Sequence, residues 1–68
     1  MREVIMFRGE SGMWVAEVPS LPGCISQGAT KEQAIENVRE ANDGYVATLE
    51  DDGIPVPSET FEAFVVAV

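Results

Sequence analysis

The stretch Gly12 to Asn37, GMWVAEVPSLPGCISQGATKEQAIEN, constrains this chain more than any other. Pro19 lacks the N–H a central strand needs, so the strand run Met13 to Val18 must stop there. Leu21-Pro22-Gly23 has the composition of a tight turn, with proline presetting φ and glycine free to turn left-handed. Cys24 to Gln27 then reads as a short strand, and Gly28 breaks it. Thr30 followed three residues later by Gln33 is a capping-box pattern that opens a helix. Strand, bend, strand and capped helix therefore follow one another with almost no slack.

The flanks extend the pattern. Arg2 to Arg8 mixes β-branched, aromatic and charged residues without a breaker, with Val4 and Met6 on one face and Ile5 and Phe7 on the other. Gly9-Glu10-Ser11-Gly12 joins it to the next strand as a hairpin. Trp14, Ala16 and Val18 share one face of that second strand. From Lys31, Ala34, Ile35, Val38, Ala41, Tyr45, Val46 and Leu49 recur at helical spacing, and Gly53 after Asp51-Asp52 is a natural stop. Gly44 inside the helix either admits close packing on the sheet or marks a weak point. Ile54-Pro55-Val56-Pro57 must be extended, and Thr60 to Val68 reads as a last strand with apolar residues on both faces.

These elements predict one α+β domain over residues 1–68, β-β-β-α-β, with one helix packed on a four-stranded mixed sheet in the order 3-2-1-4. One helix covers one face of a sheet, whereas strands one, two and four are apolar on both. A second copy is therefore expected to cover the other face, as a homodimer or higher oligomer, through Ile5, Phe7, Trp14, Phe61, Phe64, Val66 and Val68. At 68 residues the chain is also small enough to gain from such help.

Charge and composition exclude several functions. A net charge of −8, from twelve acids against four bases, repels phosphate backbones and suits a basic partner. Neither nucleic-acid binding nor membrane association is expected, and a single cysteine with no signal-like segment reads as cytoplasmic. With no histidine, Cys24 has no ordinary base beside it, so no catalytic residue, cofactor site or metal site is assigned. Glu50, Asp51 and Asp52 lack the alternate spacing of a calcium loop and read as a solvated helix end. Pro55 and Pro57 read as a connector rather than a ligand for a proline-recognising domain.

Gly12, Trp14, Ala16, Pro19, Leu21-Pro22-Gly23-Cys24, Ser26, Gly28, Thr30, Glu32, Ala34 and Asn37, continued in Gly53-Ile54-Pro55-Val56-Pro57-Ser58, resemble the HicB-like antitoxin family along essentially the whole chain. The resemblance implies a partial ribonuclease-H-like arrangement without ribonuclease activity. It further implies an antitoxin that binds and neutralises a small basic RNA-cleaving toxin of HicA type by masking its active histidine. Ser20 and Ala29 stand where the family more often has acids. Many members also carry a C-terminal DNA-binding domain, and this chain ends at Val68, so operator binding is not expected. The alternative reading is an orphan oligomeric scaffold or binding domain without a toxin.

Overall fold

The computed structural model describes residues 2–59 and 62–68. Its elements are β1 (Ile5–Arg8), β2 (Trp14–Glu17), β3 (Ile25–Gly28) and α1 (Lys31–Asp51). The strands form an antiparallel meander in the order β1-β2-β3, with Ile5 opposite Glu17 and Glu17 opposite Ile25. Helix α1 lies across β2 and β3 on one face. This is a two-layer β-β-β-α arrangement.

Local chemistry accounts for each boundary. In the β1–β2 connection the Gly9 N–H donates to Met13 O at 2.8 Å and the Gly12 N–H to Gly9 O at 3.0 Å. Beyond β2 the Val18 N–H donates to Cys24 O and the Cys24 N–H to Leu21 O, so the proline bend is held by its own backbone. Thr30 caps α1, its hydroxyl accepting from the Gln33 N–H at 3.1 Å, while Gln33 Oε1 accepts from the Ala29 N–H at 3.0 Å. The reciprocal bond thus reaches one residue further back than the usual capping box. At the other end Gly53 takes φ +67°, its N–H reaching Glu50 O while the Ile54 N–H reaches Leu49 O. That bond pair closes the helix as a Schellman motif.

The core is small and centred on the bend. Ala16, Val18, Leu21, Cys24, Ala34 and Val38 are buried, with Met6, Trp14, Ala41, Tyr45 and Val46 packed around them. Leu21, which the sequence suggests only as part of a turn, is one of the largest fully buried side chains. Tyr45 Oη donates to Pro22 O at 2.9 Å and Asn37 Nδ2 to Gln27 O at 2.8 Å, tying the helix to the bend and to β3. Ile35, expected on the apolar helix face, is exposed.

The expected four-stranded sheet in the order 3-2-1-4 is not formed. Among the described residues there are three strands, and residues 62–68 carry no strand pairing. The reason is that an apolar run becomes a strand only where its backbone groups find a partner. Residues 57–59 do reach the start of β1: the Arg2 guanidinium donates to Pro57 O at 2.6 Å and pairs with Glu59 at 3.3 Å, and the Glu3 N–H donates to Glu59 Oε1 at 2.6 Å. The described residues after this anchor, 62–68, are not paired with β1. Thr60 and Phe61, which open the expected strand, lie outside the described residues.

Candidate interaction surface

Alternation along the strands sorts their side chains into two faces. Val4, Met6, Arg8, Trp14, Ala16 and Ser26 face α1; Ile5, Phe7, Val15, Glu17, Ile25 and Gln27 face away. Through the cross-strand register, Ile5, Glu17 and Ile25 make one row of the outer face and Phe7, Val15 and Gln27 the next. Among the described residues no element covers this face. Phe7 is 47% and Ile25 51% exposed, and Ile5 is also exposed, so an apolar patch lies open on the single chain.

Of the interface residues expected from the sequence, only Ile5 and Phe7 come together on this patch. Trp14 stands on the opposite face, where Arg8 and Lys31 both stack over its ring at 4.8 Å from the centroid. Two of the four basic side chains are thereby gathered on one indole. Phe64, Val66 and Val68 lie in the tail outside the sheet and are exposed, and Phe61 lies outside the described residues. Sequence reasoning missed Ile25 and Val15. Their signal was available in the alternation of their strands once the register brings them beside Ile5 and Phe7.

Several concavities flank the helix, and two of them border the core. One, about 330 Å³, is lined by Cys24, Ile25, Ala41, Gly44, Tyr45 and Leu49 among others. A Cβ added to Gly44 meets nothing within 4 Å, so of the two roles weighed for this glycine, close packing on the sheet is excluded. The other, about 360 Å³, runs between the start of β1 and α1, lined by Arg2, Val4, Val18, Ile35, Val38 and Arg39. Neither holds a nucleophile with a base. Cys24 is buried, and burial pushes its thiol above the ordinary value, opposite to the activation a nucleophile needs.

The electrostatics are acidic on the helix. Glu32, Glu36, Glu40, Asp43, Glu50 and Asp51 are exposed along α1, against Lys31 and Arg39, and Lys31 is folded onto Trp14. Glu59 differs from these acids in holding two parts of the chain together. The Glu3 N–H, with help from the Ser20 hydroxyl and Arg2, keeps its carboxyl below the usual range. Among the described residues no group of three acids and cysteines is placed to hold a metal ion, and no helix is long and apolar enough to cross a membrane.

Residues 3–66 match the family described as the HicB-like antitoxin of bacterial toxin-antitoxin systems. A UPF0150 protein of Thermoplasma acidophilum is 38% identical over 63 residues, covering 93% of this chain and 91% of that protein. A UPF0150 protein of Synechocystis is 41% identical over 56 residues, covering 82% and 71% of the two chains. Another, of Helicobacter pylori, is 42% identical over 48 residues, covering 71% and 65%. No solved structure matches the chain.

Proposed function

Because the chain belongs to the HicB-like antitoxin family, we propose that it neutralises a small basic RNA-cleaving toxin of HicA type by covering the toxin's active site. The observation that carries this reading, beside the family, is the acidic exposed side of α1 within a chain of net charge −8. Such a surface accelerates encounter with a basic partner and disfavours RNA, so the antitoxin does not compete for the toxin's substrate. The protein acts by binding and not by catalysis, works in the cytoplasm as one domain over residues 1–68, and associates with itself through apolar surface that includes Ile5 and Phe7.

The test is co-expression with the small basic reading frame beside its gene. Rescue of growth, together with a complex that survives about 150 mM salt, is expected. Failure of both, with the two proteins produced in soluble form, refutes the toxin pairing and favours the orphan scaffold.

A further inference from the structure

Residues 62–68 belong to no helix or strand, and Phe64, Val65, Val66 and Val68 are each 71% exposed or more. A chain of 7.3 kDa folded to ordinary compactness exposes roughly 4,200 Å². This one exposes 5137 Å². The excess of roughly 900 Å² is close to the ~800 Å² that each partner contributes to a standard protein interface. The radius of gyration agrees, 12.9 Å against about 11 Å for a compact chain of this length. Among the described residues the most exposed apolar side chains are those of the tail, which stand in solvent.

The surface that matches this tail is the free edge of β1. The Gly9 N–H bonds to Met13 O, and antiparallel pairing alternates, so Ile5 and Phe7 turn their backbone groups toward β2 while Val4, Met6 and Arg8 turn theirs outward. Among the described residues β1 has β2 as its single sheet neighbour, and no described residue pairs with those outward groups as a strand. A strand laid there would set alternate side chains on either side of the sheet. One side is the 360 Å³ groove with Val4 and Ile35 exposed at its rim; the other is the outer face with Ile5 and Phe7. The tail is apolar on both of its faces, as this position demands. Within the single chain residues 62–68 are not paired with their own β1.

We infer that a second copy of this chain receives the tail: residues 62–68 of each protomer add as a strand to the β1 edge of the other, in a reciprocal, two-fold exchange. The occupant is a second copy because the exposed excess fits one dimer interface and because tail and edge are self-complementary, each copy offering one of both. This deepens the self-association part of the proposed function and rests on it, while toxin binding stands apart.

Sedimentation equilibrium of the full chain at about 100 μM is expected to give twice the 7.3 kDa monomer mass. Val65→Asp and Val66→Asp, each placing a charge in the exchanged strand, and Val4→Pro, which removes an outward N–H from the edge, are each expected to weaken the dimer on the order of 100-fold with the helical circular-dichroism signal kept. Mixing Val66→Asp with Val4→Pro restores one intact tail–edge pair and recovers dimer. In a mixed sample of differently isotope-labelled copies, nuclear Overhauser contacts should run between residues 64–68 of one copy and residues 4–8 of the other. A monomer in the wild type overturns both self-association and the exchange. A dimer unaffected by all three substitutions, or tail contacts found only within one chain, overturns the exchange and leaves self-association through a different surface.

Discussion

Gly28→Ala tests how tightly the helix is seated. Gly28 is buried at the end of β3, where the first turn of α1 crosses it. A Cβ built there lies 2.5 Å from the Ala34 backbone N, 2.7 Å from Gln33 Cβ and 2.8 Å from the Gln33 carbonyl carbon. Two of these atoms are backbone, so no side-chain rotation relieves the clash. The helix must retreat by most of an ångström to reach ordinary contact. A gap of 0.5–1 Å already forfeits about a quarter to a half of each dispersion contact across it. The retreat also stretches the 2.8 Å bond from Asn37 to Gln27 O and opens the core between Ala16, Ala34 and Val38. Together these place the loss at about 2 kcal/mol, inside the usual range for overpacking. A chain of this size holds roughly 3–10 kcal/mol in all, so the melting temperature should fall by about 8–16 °C. Thermal unfolding followed at the helical circular-dichroism band reads this directly. A melting temperature within about 2 °C of wild type would show that the helix is not seated on Gly28, and the packing argument would be refuted.

Gly44→Ala is expected to do the opposite. A Cβ there enters open space, so the substitution removes backbone freedom from the unfolded chain without a clash and should stabilise by about 0.5–1 kcal/mol, read as a higher melting temperature. Glu59 should make the tail anchor sensitive to acid. Its folded-state carboxyl is held below the ordinary value, first by the Glu3 N–H and then by Ser20 and Arg2, so its contribution is complete above the ordinary carboxylate pKa of about 4.3 and is lost as pH falls through the folded-state value. A carbon-detected NMR titration of Glu59 should therefore show a midpoint below that of a glutamate in an unstructured peptide. A midpoint at or above the peptide value would mean the anchor does not hold the charged form.

What was legible in the sequence was whatever a few neighbouring residues decide. Pro19 ended β2, Thr30 and Gln33 opened α1, and Gly53 closed it, because each acts on backbone groups within four positions of itself. The faces of β1 and β2 followed from alternation alone. What was not legible depended on partners far away in the chain. The expected last strand shows why: Thr60 to Val68 has the composition of a strand buried on both sides, but composition does not specify which edge accepts it. Leu21 sits between Ser20 and Pro22 and carries no periodic signal, yet the bend folds it inward as a plug for the core. Trp14 shares its face with the core, as the alternation indicated, and it is the cross-strand neighbour Arg8 and the helix residue Lys31 that enclose it. The Arg2–Glu59 pair joins residues at opposite ends of the sequence, which no local pattern announces.

Charge and apolar surface bear differently on the two contacts proposed for this small protein. Copies that each carry −8 repel one another, so an association between them must be carried by apolar area and backbone pairing, and the β1 edge with the tail offers both. The proposed basic toxin would be attracted by the same charge, and the exposed acids of α1 stand on the side of the molecule away from the outer face of the sheet. Salt should therefore act on the two proposed associations with opposite sign: screening over about 8 Å at physiological ionic strength would relieve repulsion between copies and weaken attraction to a basic toxin. If both contacts form, neither need displace the other, because the helix carries one and the sheet edge with its outer face carries the other. A dimer of the proposed kind would be charged and associated at once, with burial of the tail adding to the small core centred on Leu21, Val18 and Val38.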